Sequence, residues 1–401
     1  MGVLGYIRKN GLKHFFAVLY QYKIDAVMRK CIVPFVKNRP LQDVIVIESH
    51  NDFDCNGGAF YSFLEKNGYL ERYRVVWLLK HSKPKNLPKN VEAYGLLRPS
   101  WKKNYRICTA KYLSADNTVT DKVRKEQKSF YLTHGAVALK NVKGILTVPP
   151  SVDYVACTSG AFAPILADQF SISGSTQMLP IGVPSEDVFF QDIPDEYEKI
   201  TKRKYAKRIL WMPTFRKGGG HRRNDSDTEL PLGIPLIENR EMLKRLNDSL
   251  AAQNCLLVIK LHPMQDPETY RDLEETEFIR ILNGQTVKEL GIDNYRLLKS
   301  TDALLSDYSS IAFAFLRLDR PIGFVLSDLK DYKLGLSVAD PEPFLAGQKI
   351  FEFDGLLSFI RDVAEGTDEF KEKRHALQEY LFDHHDGNAA QRLADFMELK
   401  K

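Results

Sequence analysis

Cysteine is scarce in this chain, with five in 401 residues. Cys31, Cys55, Cys108, Cys157 and Cys255 are scattered, with no CxxC and no Cys/His spacing, which excludes a disulfide framework and a zinc-binding cysteine motif. A reduced compartment and no metal are the expectation. No uninterrupted apolar run nears the ~18 residues of a spanning helix. The basic start lacks the apolar core and small-residue site of a secretory signal. The protein is therefore expected to stay inside the cell. GxGxxG and GxxxxGK[ST] are both absent, so neither phosphate-loop fingerprint is present. An excess of one charge is missing too: 57 basic against 52 acidic residues leave +5. With no basic stripe interleaved with aromatics, nucleic acid is not an expected partner. There is no tandem repeat or low-complexity tract.

What is present is an ordinary globular composition, 44% hydrophobic and 27% charged, in a chain long enough for two domains. The first forty residues stand apart. Arg8, Lys9, Lys13, Lys23, Arg29, Lys30, Lys37 and Arg39 are opposed by Asp25 alone, and Leu4, Ile7, Leu12, Phe15, Phe16, Tyr20 and Val27 lie between them. This pattern predicts a basic amphipathic helical segment over 1–40. Its apolar side would rest on an anionic lipid surface or on the protein's own domain.

After Pro40 short β-branched runs alternate with helical stretches, the pattern of βαβ units and parallel sheets. Strands are predicted at 44–48, 73–79, 105–109, 129–133 and 154–158, with helices at 58–67 and 161–169. A second series places strands at 208–212, 256–261, 295–298, 303–306 and 322–325, and helices at 238–253, 267–280 and 310–318. The fold class is thus α/β, two doubly wound Rossmann-like lobes. The predicted lobes are 41–185 and 208–355, joined by a charged connection at 186–207 and followed by a helical segment at 356–401 that could return to the first lobe. Two such lobes are expected to face a cleft lined by the carboxyl ends of their strands, where open α/β sheets bind ligands.

Chemistry is therefore sought just after strands. His134, in Tyr131-Leu132-Thr133-His134-Gly135, suits a general base at neutral pH, with Gly135 allowing close approach and Lys140 a few residues on. His262 follows another strand, in Val258-Ile259-Lys260-Leu261-His262-Pro263, where Pro263 turns the chain out of the sheet. Either position also suits a histidine that merely packs at a strand end. Thr214 and Arg216, in Trp211-Met212-Pro213-Thr214-Phe215-Arg216, offer a guanidinium that can grip phosphate oxygens or form an ion pair. In Leu304-Leu305-Ser306-Asp307-Tyr308-Ser309-Ser310, a strand runs into a helix start at which Asp307, Ser309 or Ser310 caps the helix or faces an anion. Gly57 and Gly58 open a helix behind the first strand. The loop at 217–236, with Gly218, Gly219 and Gly220, is long and aperiodic, as functional loops are. His384, His385 and Asp386, beside Gly387 and Asn388, read as a helix cap rather than a metal cluster.

Taken in order, Gly57-Gly58 with Tyr73-Arg74-Val75-Val76-Trp77, Thr133-His134-Gly135 to Leu139-Lys140, Pro213-Thr214-Phe215-Arg216, Lys260-Leu261-His262-Pro263, Ser306-Asp307-Tyr308-Ser309-Ser310, Arg320-Pro321-Ile322 and Asp386-Gly387-Asn388 resemble the CDP-glycerol glycerophosphotransferase family of teichoic acid and capsule synthesis. The family's usual Trp-His-Gly-Thr-Pro-Leu-Lys is replaced here by Thr133-His134-Gly135-Ala136-Val137-Ala138-Leu139-Lys140, a departure on the side where the acceptor is expected. The resemblance implies a GT-B-like fold and transfer of a polyol phosphate from CDP-glycerol, or CDP-ribitol, to a glycan or lipid-linked acceptor, with release of CMP. It implies His134 as base with His262 as its alternative, and donor contacts from Arg216, Lys260, Asp307, Ser309, Ser310 and Thr214. Gly58, Gly135 and Lys140 would lie on the acceptor side. No cofactor or metal is required, and the expected site of action is the cytoplasmic face of the membrane. Competing readings are a GT-B glycosyltransferase or epimerase using a nucleotide sugar, and a membrane-docked scaffold without catalysis.

Overall fold

A computed structural model of the chain describes residues 3–81, 83–135, 137, 139–172, 174–218, 226 and 228–401. The 219–225 stretch of the glycine-containing loop, with Gly219 and Gly220, lies outside the described residues. The chain divides into two compact units, one of Met1–Ala136, Lys143–Asp187 and Asp383–Lys401, the other of Val137–Val142 and Val188–Phe382.

The first unit opens with helices α1 (Val3–Asn10) and α2 (Leu12–Val36). The segment is helical as expected, but the apolar side chains of α2 are spread around its axis rather than gathered into one stripe. The expectation of a single apolar stripe is thereby corrected for α2. The later half of α2 packs on the helix Trp101–Thr109, where Asp25 is buried against Lys103 (Oδ2 to Nζ 2.7 Å) and Asn104 (2.6 Å), while side chains of the earlier half stay exposed. No helix among the described residues is long and apolar enough to cross a membrane.

Then follow β1 (Gln42–Glu48), α3 (Cys55–Lys66), β2 (Arg74–Leu79), β3 (Val91–Gly95), α4 (Trp101–Thr109), β4 (Ala110–Ala115), β5 (Lys128–Tyr131), β6 (Tyr154–Ala156), α5 (Ala163–Gln169) and β7 (Gln177–Leu179). The seven strands form a parallel sheet in the order β3-β2-β1-β4-β5-β6-β7. The predicted strand at 105–109 is a helix instead. Ser100 caps it by accepting from the amide of Lys103, and the buried Asn104, Ile107 and Cys108 recur at helical spacing.

The second unit holds β8 (Lys207–Trp211), α6 (Arg240–Ala252), β9 (Cys255–Lys260), β10 (Ile279–Leu282), α7 (Gly284–Glu289), α8 (Asn294–Lys299), β11 (Ala303–Ser306), α9 (Ser310–Leu316), β12 (Ile322–Val325), β13 (Gln348–Ile350), α10 (Phe353–Glu365) and α11 (Lys371–Leu381). Its sheet is also parallel, in the order β10-β9-β8-β11-β12-β13. The strand predicted at 295–298 is α8, capped by Asp293, and the end of the helix predicted at 267–280 is β10. That stretch forms only a short 3-10 turn, Pro267–Tyr270, before returning to the sheet.

The final segment carries α12 (Ala389–Phe396) and belongs to the first unit, where Leu393, Ala394 and Met397 join the core under β1, β2 and β5. The stretch 356–401 is thus not one body. Leu356, Phe359 and Ile360 of α10 are core residues of the second unit, and α12 of the first.

Both sheets follow the order 3-2-1-4-5-6 of doubly wound folds, the first with a seventh strand added at its edge. The reversal between the first and fourth strands opens a crevice at their carboxyl ends.

Candidate active site

The same device occupies the reversal point of each sheet. In the first unit Asp116 directly follows β4 and reaches the loop after β1 and the first turn of α3, accepting from the amides of His50 (2.6 Å) and Gly57 (2.9 Å). In the second unit Asp307 directly follows β11 and reaches the loop after β8, accepting from the amide of Thr214 (2.8 Å) and its Oγ1 (2.7 Å), and from the amide of Ser309 (3.1 Å).

His134 lies just beyond β5, exposed, between two residues of positive φ, Thr133 at 59° and Gly135 at 90°. The backbone before it is held by Asn56, whose Nδ2 donates to the carbonyls of Leu132 and Thr133 (both 2.9 Å). Asn56 Oδ1 accepts from the amide and hydroxyl of Ser185. The His134 ring lies flat on that of His50, with centroids 4.4 Å apart and planes 5° apart. Beneath them is a charged floor. Glu48, fully buried, takes Lys80 Nζ at 2.7 Å and the amides of Asn117 and Thr118. Lys80 Nζ also donates to the carbonyls of Ser49 and His50.

Burial pushes Asp116 up to about 8, the amide of Gly57 pulling against it and Glu48 adding to it. Between about pH 4 and 8 the folded chain thus holds a proton that the unfolded chain releases, so this group's contribution to stability falls as pH rises through that window. Asp116→Asn should reduce the loss of urea midpoint seen between about pH 5 and 8, as measured by denaturation at both values.

Gly58, expected near the acceptor, is buried in α3 and serves packing. A Cβ there would stand 2.5 Å from the backbone C and O of Phe53, itself at φ 61°. Gly58→Ala should therefore lower stability by about 1–3 kcal/mol, read as a shifted urea midpoint.

In the second unit the expected phosphate grip is corrected. Arg216 is buried at 3% exposure and turned into carboxylates: Nε and Nη2 on Asp328 (Nη2 at 2.9 Å), Nη1 on Asp307 at 3.2 Å and on the Thr214 carbonyl. Burial works against its charge, yet Asp328 and Asp307 outweigh this and hold its pKa above the ordinary value. Thr214 and Asp307, also buried, spend their polar atoms in the same closed set. Lys140 is corrected as well. It belongs to the second unit, paired with Leu336 in an isolated bridge, its Nζ 5.9 Å from the Tyr308 ring.

His262 lies two residues beyond β9, half-buried, its ring 4.8 Å from that of Phe215. Its Nδ1 accepts from the amide of Met264 at 3.1 Å. In the neutral ring the proton is therefore on Nε2, which makes His262 a donor to an anionic oxygen rather than a base at that nitrogen. Lys260, buried, ends β9. Ser309 holds the N-cap position of α9 and Ser310 its first turn, both half-buried.

Among the described residues no three His, Cys, Asp or Glu side chains gather as a metal site. Asp386 is paired with Arg392 and accepts from the amide of Asn388 at the start of α12. Sequence reading missed Asn56, His50, Glu48, Lys80, Asp116 and Asp328. Their one shared signal is a polar residue at or just beyond a strand end, or at a helix start, and only the strand order shows which of these meet.

The profile of the CDP-glycerol:poly(glycerophosphate) glycerophosphotransferase family matches residues 30–399. A teichoic acid glycerol-phosphate primase of Bacillus subtilis is 24% identical over 94% of this chain and 99% of its own length. A teichoic acid ribitol-phosphate primase of Bacillus spizizenii is 27% identical over 63% of this chain, which spans 61% of that relative. Among solved structures, the wall teichoic acid polymerase TagF shares the fold, with a TM-score of 0.73 and 19% identity over 96% of this chain and 97% of that one. With two parallel α/β lobes of the GT-B kind and the family's sequence across nearly its whole length, the chain belongs to the CDP-glycerol:poly(glycerophosphate) glycerophosphotransferase family.

Proposed function

We propose that this chain transfers glycerol phosphate from CDP-glycerol to a hydroxyl of a glycan or lipid-linked acceptor in teichoic acid or related surface-polymer synthesis. The observation that carries this reading is the family match across residues 30–399, a span that contains both histidine-bearing strand ends. The acceptor oxygen bonds to the β-phosphorus of the donor and its proton passes to His134. The bond from that phosphorus to the bridging oxygen breaks, and CMP leaves with the electron pair. His262, through Nε2–H, and Lys260 meet the negative charge growing on the leaving phosphate. Arg216, Asp307 and Thr214 hold the loop that carries Phe215 against His262. Lys260 and the His262 N–H supply the charge stabilisation, so turnover is expected to need no metal.

Ribitol phosphate is the second reading, favoured by the likeness to a ribitol-phosphate primase. CMP release is to be measured with CDP-glycerol, CDP-ribitol, a UDP-sugar and a CMP-sugar, with and without EDTA. Release from CDP-glycerol alone, unchanged by EDTA, supports the proposal. Release from CDP-ribitol alone moves it to the second reading, and turnover of a sugar nucleotide overturns both.

The acceptor's place at the membrane gives the first helices a role. Leu4, Phe16, Tyr20 and Phe35 are 79%, 56%, 65% and 78% exposed, among the exposed Arg8, Lys13, Lys23, Lys30, Lys37 and Arg39. Asp25, the segment's one acid, is buried. Such a surface suits the anionic cytoplasmic leaflet, each basic side chain contributing about 1 kcal/mol. The full chain should float with phosphatidylglycerol vesicles and not with phosphatidylcholine, and the triple substitution Phe16→Ser, Tyr20→Ser, Phe35→Ser should release it.

A further inference from the structure

The imidazole lying on His134 has no part in the proposed transfer, and its surroundings suggest one. The backbone of His50 is clamped at both ends. Its amide donates to Asp116 at 2.6 Å, and its carbonyl accepts from Lys80 Nζ at 2.9 Å. Its ring is therefore presented at a fixed height above the carboxyl edge of the sheet, parallel to the His134 ring within 5°. His134 sits on a loop whose backbone before it is held at Leu132 and Thr133. The flat stack on this clamped residue restricts the rotamers open to the exposed His134 imidazole.

We propose that His50 is the positioning residue for His134, a neutral imidazole whose face fixes the plane of the base and receives the imidazolium formed when that base takes the acceptor proton. The proposal rests on the reading of His134 as base. Two stacked imidazolium rings would repel, so the pair holds one proton at a time, and the surroundings decide which ring takes it. Facing His50 are Lys80 from the end of β2, Glu48 from β1, Asp54 at the cap of α3, Asp116 after β4, and the Asn117 side chain, with which it shares a hydrogen bond. Although the residue keeps solvent contact, crowding by its neighbours and then the Lys80 charge lower its pKa, against the pull of Asn117, Asp54 and Glu48. In this proposal His134 carries the proton, and the π-face beneath stabilises it there as a cation–π contact does.

The test is imidazole NMR on the full chain carrying ¹³C-labelled histidine, with His134 and His50 signals assigned by their loss in His134→Ala and His50→Phe. In the unsubstituted chain His134 should titrate at the higher pH of the two. His50→Ala should move the His134 midpoint down, and His50→Phe, which keeps an aromatic face, should restore most of the shift. These readings need no substrate and stand even if the donor proves to be other than a CDP-polyol. With the active donor, His50→Ala should lower kcat about tenfold with little change in KM and displace the acid limb of the pH profile, and His50→Phe should recover both. An unchanged His134 midpoint in His50→Ala, or a His50→Phe protein no better than His50→Ala, overturns the proposal.

Discussion

His134→Ala is expected to lower the rate of CMP release from the CDP-polyol by about 10²–10⁴, the range over which a positioned base contributes. The fold should be untouched, because the side chain is exposed on a loop after β5 and the loop's anchors, Asn56 and Ser185, lie elsewhere. The urea midpoint should therefore stay within about 0.5 kcal/mol of the unsubstituted protein, as for other surface changes. His262→Ala should behave differently. Its Nδ1 is occupied by the Met264 amide, so what is lost is a donor to phosphate, and His262→Gln, which still carries an N–H, should retain part of the activity. A His134→Ala protein that kept most of its turnover would remove His134 from the role of base.

Arg216→Ala should destabilise the protein by about 3–5 kcal/mol, since it strands Asp328 and Asp307 as buried carboxylates without their cation. Arg216, Asp307 and Asp328 are exposed by 3%, 2% and 4%, so water cannot replace the guanidinium. The check is chemical denaturation of Arg216→Ala beside the double change Arg216→Ala, Asp328→Ala. The double variant should recover part of the loss, because one stranded charge goes with it. Were Arg216 a donor-binding side chain instead, the single change would raise KM for the donor and leave the denaturation midpoint near its original value.

The two-lobed α/β architecture was legible because β-branched runs such as 44–48 and 256–261 are buried on both faces of a parallel sheet. Five strands were missed: Ala110–Ala115 follows the segment read as a strand at 105–109, Ile279–Leu282 overlaps the helix read at 267–280, and Val91–Gly95, Gln177–Leu179 and Gln348–Ile350 are short, the last two of only three residues. Such runs are too short to show a period. The segment at 105–109 misled because Tyr105, Ile107 and Thr109 favour strands, while the signal that decided it, the Ser100 cap, stands outside the segment. At the site, His134 and His262 were visible as titratable groups beside strand ends. The partners that define them were not. His50 is 84 residues from His134, and Asp328 is 112 from Arg216; contacts of that separation are set by strand order, not by any local pattern. Arg216 was misread for the same reason. A guanidinium after a strand looks alike whether it faces phosphate or a carboxylate from a distant loop.

The acid that follows the fourth strand of each sheet has a consequence for substrate binding. Asp116 and Asp307 tie down the loops after the first strands through the chain's own hydrogen bonds. The conformational entropy of ordering those loops is therefore lost during folding and not at each catalytic cycle. Slow hydrogen exchange at the amides of His50, Gly57, Thr214 and Ser309, alike with and without donor, is the signature of sites built rigid in advance. Variation in acceptor can then be met elsewhere on the chain, while the tethered loops remain as they are.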